Sequence, residues 1–94
     1  MILATYTKQP AEVLDYDVNF SSWLGAGTIS THTAVVSPTG ELAIDQSSIV
    51  SSSKVVKCIL SGGITGKKYK ISVTATTDSG LVKQVEYYIS VKEV

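Results

Sequence analysis

The chain has 94 residues, with eight lysines, no arginine, eight carboxylates and a formal net charge of zero. That length holds one domain able to bury roughly 60–70% of its unfolded surface, and no apolar run approaches the ~20 residues of a membrane span. Arginine supplies most bidentate contacts to bases and phosphates, so its absence argues against nucleic-acid binding.

The opening Met1-Ile2-Leu3-Ala4-Thr5-Tyr6 is apolar but short, with no basic leader and no cleavage site. It reads as a first strand or an N-terminal arm (residues 1–7) rather than a signal peptide. Thr7-Lys8-Gln9-Pro10-Ala11 forms a turn, because proline cannot donate to a ladder and restricts the residue before it. Leu14, Tyr16, Val18 and Phe20 then alternate with Val13, Asp15, Asp17 and Asn19, which predicts a strand with an apolar inner and an acidic outer face. Over Phe20–Gly25 the alternation stops; Ser21 or Ser22 can cap a single helical turn and Gly25 can end it. Trp23 is either a plug at one end of the core or an exposed anchor for a partner.

Thr28–Val36 is a threonine-rich strand, with Ile29, Thr31, Thr33 and Val35 on one face and His32 on the other. A lone histidine without neighbouring ligands reads as a surface residue, not a metal ligand. Ser37-Pro38-Thr39-Gly40 is a turn, Glu41–Ile44 a short strand, and Asp45-Gln46-Ser47-Ser48 a polar loop. Ser51-Ser52-Ser53 marks an exposed crossing before a strand from Lys54 to Leu60. In that strand Cys58 lies among apolar neighbours at period two and reads as a buried hydrophobe. A single cysteine allows no intrachain disulfide and suits synthesis in a cytosol.

Leu60-Ser61-Gly62-Gly63-Ile64-Thr65-Gly66 is a glycine-rich corner, after which Tyr69, Ile71, Val73 and Ala75 share an apolar face. A tyrosine entering such a strand can bury its ring and return its hydroxyl to nearby backbone, pinning a chain that crosses between two sheets. Leu60, Gly62, Gly66 and Tyr69 are therefore the structural residues of the corner. Thr77-Asp78-Ser79-Gly80 closes a hairpin with glycine at the left-handed position. The last strand sets Val85, Tyr87, Ile89 and Val91 against Val82, Gln84, Glu86, Tyr88 and Ser90. About seven strands and no helix beyond one turn predict an all-β, immunoglobulin-like sandwich of antiparallel strands.

Catalytic residues, cofactors and metals are not expected. His32 is the only imidazole, and nothing in the spacing brings it to a nucleophile. Asp15 and Asp17 stand about 7 Å apart on one strand face, but an outward face is where charge belongs, and a cation cage needs more oxygens. Gly62-Gly63 precedes a strand rather than the helix that a phosphate loop requires.

Charge is unevenly placed along the chain. Residues 1–53 hold Lys8 against Glu12, Asp15, Asp17, Glu41 and Asp45, a net of −4; residues 54–94 hold seven lysines against Asp78, Glu86 and Glu93, a net of +4. Opposite charges then either meet across paired strands within one fold or make a polar particle that stacks on copies or partners.

The corner from Leu60 to Ala75 resembles that of fibronectin type III domains. The chain as a whole resembles a family of small phage virion proteins of the fiber-tail adaptor or decoration type. The resemblance rests on Lys8-Gln9-Pro10-Ala11-Glu12-Val13-Leu14-Asp15-Tyr16 continuing to Phe20-Ser21-Ser22-Trp23-Leu24, on Leu60-Ser61-Gly62-Gly63-Ile64-Thr65-Gly66 with Tyr69, and on the Val73–Val82 hairpin. Residues 26–53 match only as a generic threonine-rich strand and turn. The resemblance implies a structural protein of a phage virion that joins tail, neck, fiber or capsid components by surface contact, with homo-oligomers in the particle and neither nucleic acid nor membrane as partner. Glu12, Asp15, Asp17 and Trp23 are the candidate interface. A capsid decoration protein and a generic immunoglobulin- or fibronectin-like adhesion domain are the alternatives. A start at Met1 and an end at Val94 lead to the expectation of a complete small gene product made in the host cytoplasm.

Overall fold

The computed structural model describes residues 2–50 and 53–93. They form β1 (Ile2–Lys8), β2 (Leu14–Asn19), a helical turn α1 (Ser21–Leu24), β3 (Ile29–Ser37), β4 (Leu42–Val50), β5 (Val55–Gly62), β6 (Lys67–Thr77) and β7 (Val82–Val91). One sheet has the order β1-β7-β6-β3 and the other β2-β5-β4. All pairings are antiparallel except β1 with β7, which is parallel. The expected all-β, immunoglobulin-like sandwich is the observed fold.

Alternation explains how the two sheets meet. In β6, Tyr69, Ile71, Val73 and Ala75 are fully buried, and Val85, Tyr87, Ile89 and Val91 of β7 lie in the same layer. Val56, Cys58 and Leu60 of β5 face them from the other sheet, with Val18 and Phe20 closing the space between. A one-residue slip in any of these strands would bring lysine, glutamate or serine inward, so burial fixes the register. The open side between β1 and β2 is filled by rings: Tyr6, Tyr16 and Tyr87 have centroids 5.3 to 6.0 Å apart.

Four local features differ from expectation. Neither serine caps the helical turn: Phe20 stands at the N-cap with no side-chain cap bond, and Asn19 just before it accepts at Oδ1 from the Ser21 backbone N–H at 2.9 Å and the Ser21 hydroxyl at 2.6 Å. Gly25 ends the turn at φ 59°, as expected. A register shift between Ile29 and Thr31 rotates β3, so Thr31, Thr33 and Val35 face solvent. His32 is consequently turned inward, half-buried, and meets the Ser47 hydroxyl at 3.0 Å instead of lying on the surface. Finally, Glu41–Ile44 and the polar stretch after it are a single strand, β4, interrupted by an irregularity between Ile44 and Gln46 at the exposed Asp45. Its polar residues sit on a sheet edge, where water serves them as well as it would in a loop. The expected crossing at Ser51 and Ser52 lies outside the described residues.

Candidate interface on β2 and its supporting corner

β2 is an edge strand, hydrogen-bonded only to β5. The turn before it is held by a reciprocal pair: the Gln9 N–H donates to Glu12 Oε1 at 2.8 Å, and the Glu12 N–H donates to the Gln9 carbonyl at 3.1 Å. Glu12 is thus partly committed to its own turn. Asp15 and Asp17 are exposed on the outer face, side by side, while Val18 and then Phe20 turn into the core. Lys57 on β5 pairs in register with Asp17, and its ammonium lies 3.6 Å from Asp15. Exposed Val13 and half-buried Ile59 continue this face, with Ile59 opposite Asp15.

Trp23 does not join this group. It rides on α1 beyond the far end of β2, half-buried, with its ring edge-on to Phe20 at 6.2 Å. Of the four candidate residues, the structure brings Asp15 and Asp17 together, leaves Glu12 at one end of the strand and packs Trp23 against the core at the other.

Two ion pairs, Lys57–Asp15 and Lys67–Glu41, join the acidic half of the chain to the basic half, as cross-strand attraction requires. The third, Lys70–Glu86 at 3.3 Å, lies on the outer face of the other sheet. Charge nevertheless remains sorted by face. Asp15, Asp17 and Asp45 stand against one lysine on the β2-β5-β4 side, and Lys68 and Lys70 against Glu86 on the β1-β7-β6-β3 side. Lys68 lies over the Tyr88 ring at 4.7 Å.

The glycine corner carries the chain from β5 in one sheet to β6 in the other. Tyr69 is fully buried; its hydroxyl accepts from the Ile64 N–H at 3.0 Å and donates to Glu41 Oε1 at 2.7 Å. Lys67 holds the other carboxylate oxygen at 3.0 Å. The hydroxyl and then the ammonium hold Glu41 below the usual carboxylate range, while burial, then the carboxylate, pushes the Tyr69 phenol up. Gly63 at φ 98° is required twice over, since a Cβ there would also lie 2.7 Å from Val91 Cγ2. Leu60 is fully buried beneath, and Gly66 donates to the Val91 carbonyl at 2.8 Å.

Sequence reasoning missed Lys8 and Glu41. Lys8 is fully buried at the end of β1, and its ammonium donates to the carbonyls of Gln9 at 2.9 Å and Gly62 at 2.7 Å. It ties β1, the turn before β2 and the corner into one end of the sandwich. Burial lowers its pKa, against the opposing pull of Glu12 and Asp45. The signals in the chain were its isolation as the one lysine before residue 54 and its place at the head of the Lys8–Tyr16 block. Among the described residues there is neither a pocket nor a group of three metal-capable side chains.

The family model described as "Podophage GP4 fiber-tail adaptor protein gp77" matches residues 8–90, from the buried lysine to the penultimate residue of β7. No curated protein matches the chain in sequence. Among solved structures, the cysteine protease inhibitor EhICP2 from Entamoeba histolytica superposes with a TM-score of 0.58 at 12% identity, covering 95% of this chain and 85% of that one. At that identity the likeness is one of fold alone.

Proposed function

The chain belongs to the podophage fiber-tail adaptor family, a family of phage structural proteins, and on that premise we propose that it joins virion components through the outer face and edge of β2. It carries out no turnover in this reading; its work is contact between other virion proteins such as tail and fiber. The observation that carries the proposal is the pair Asp15 and Asp17, exposed on an edge strand whose start and end are both fixed. Lys8 and the Gln9–Glu12 turn hold one end, and the bond from the Ser21 N–H to Asn19 Oδ1 at the start of α1 holds the other. A contact surface gains affinity when its backbone is held in place before binding, and β2 is anchored in this way. The β2-β5-β4 face keeps excess negative charge after its internal pairing, which suits a basic partner surface and speeds encounter with it.

A capsid decoration role asks for similar properties, and the family membership favours the tail over the shell. The test is a phage in which this gene is silenced. Particles are expected to fill with DNA yet lack attached fibers, and added purified protein should restore fiber attachment at a fixed copy number per particle. Infectious, fiber-bearing particles formed without the protein would overturn the reading.

A further inference from the structure

Leu81 and Val82, side by side at the tip of the β6–β7 hairpin, are 62% and 63% exposed, more than any other large apolar side chain among the described residues. Turns ordinarily take glycine, aspartate or serine; Asp78, Ser79 and Gly80 comply, and Leu81 does not. Its backbone is nevertheless fixed on both sides by Thr77, which is nearly buried. The Thr77 N–H donates to the Leu81 carbonyl at 2.8 Å, and the Leu81 N–H donates to Thr77 Oγ1 at 3.0 Å. A second tie joins the hairpin to the loop before β3. There the Asp78 N–H donates to the Thr28 carbonyl at 3.3 Å, and the Thr28 hydroxyl donates to Asp78 Oδ2 at 2.5 Å. Two apolar side chains are thus held out into water on a backbone already in place, and the one carboxylate of the turn is engaged.

We propose that Leu81 and Val82 insert into an apolar cleft of the fiber protein while the outer face of β2 takes the tail. The inference rests on the adaptor reading, since an adaptor needs two contacts and the charged face of β2 supplies one. The tip lies in the other sheet, away from that outer face, so both can be occupied at once. β6 runs eleven residues from the glycine corner to the hairpin, about 34 Å, nearly the length of a particle that measures 42 × 21 × 21 Å. The tip therefore stands at a narrow end, and β2 lies along a flank. A fiber meets its adaptor at its own narrow end, whereas a tail offers a broad wall. Charge sets the chemistry of the fiber's cleft: with Asp78 already bonded, the tip has no free charge to pair, and a cleft free of charge and lined by apolar side chains fits it. Apolar anchors held in place before binding gain affinity because little ordering remains to be done.

The full chain tests the proposal when titrated separately against fiberless particles and against fibers purified from the same phage. The parent should bind both. Leu81→Ser with Val82→Thr should weaken fiber binding at least about tenfold, the scale on which interface anchors act, and leave particle binding unchanged. Glu12→Gln with Asp15→Asn and Asp17→Asn should do the reverse. Fiber binding should hold from about 0.05 to about 0.5 M sodium chloride, a range over which charge contacts are screened. Both tip side chains are exposed, so the double variant should melt with the parent. Val82→Thr alone keeps the branched shape within β7 and should give a smaller loss, which decides the matter should the double variant fold poorly. Fibers bound as well by the variants as by the parent, or held by a contact that falls steeply with salt, would overturn the tip assignment and leave the β2 reading intact. Loss of particle binding in the double variant would also overturn it and give the tip to the tail. A parent that binds neither particles nor fibers would overturn the adaptor reading and this inference with it.

Discussion

Tyr69 does more than fill space. Its hydroxyl takes one proton donor from the corner backbone and gives its own proton to Glu41. Tyr69→Phe therefore leaves the Ile64 N–H without a partner and takes from Glu41 Oε1 its shorter bond, leaving that oxygen Lys67 at 3.3 Å. The expected loss is about 2 kcal/mol, above the ~1 kcal/mol of a single neutral bond because one acceptor is charged; urea denaturation measures it. Glu41 supplies a pH signature. Its folded pKa lies below the usual carboxylate value, so its stabilising effect is complete above that value and is lost as pH falls through the lowered one. The midpoint of thermal unfolding should drop on acidification through that window, and Glu41→Gln should flatten that part of the profile. The tyrosine and the glycines of this corner were legible in the sequence because backbone geometry demands those residue types. Glu41 was not, since a carboxylate before a short strand looks like any other exposed charge, and only the folding of β4 against the corner brings it under Tyr69.

At the scale of the element, β2 shows how far alternation can be trusted. Its inward set and its acidic outward set are those expected, yet burial is graded: Val18 and Phe20 are 2% and 3% exposed, whereas Leu14 and Tyr16 are half-buried. Leu14 also lies outside the core cluster. Phe20→Ala should accordingly cost about 3–5 kcal/mol, and Leu14→Ala should fall below the ~2 kcal/mol at which buried leucines begin. Equal losses in chemical denaturation would refute the graded packing. β3 shows where alternation breaks. A single irregularity after Ile29 exchanges its two faces, and neither serine nor threonine marks such a site in sequence because both suit either face. β4 was read as strand plus loop for a related reason. An edge strand with a water-facing side has no need of apolar residues there, so Gln46 and Ser48 carry no trace of the pairing that their backbone makes with β5, nor Asp45 of the irregularity it occupies.

For the whole molecule, fold and function differ in what they ask of the sequence. The sandwich follows from patterns repeated over many residues, whereas an interface depends on which few charges are left after internal pairing. Asp15 shares Lys57, Glu41 is held by Lys67, and Glu12 serves its own turn, so the −4 of the first half greatly overstates what a partner meets. What remains is Asp17 and Asp45 with a half-satisfied Asp15 on one outer face, and Lys68 with a paired Lys70 on the other. Replacing Glu12 by Gln and Asp15 and Asp17 by Asn keeps the side-chain shapes and most hydrogen-bond acceptors. The Asp15–Lys57 pair is exposed and worth at most ~1 kcal/mol. The triple variant should therefore fold with a melting temperature close to the parent's, yet bind fiberless particles more weakly. Because the binding lost is electrostatic, the gap between variant and parent should narrow as salt is raised beyond ~0.15 M, where charges are screened within about 8 Å. Particle pull-down across a salt series measures both effects at once. A variant that binds as well as the parent at low salt would move the contact off β2, while leaving the family and the sandwich untouched.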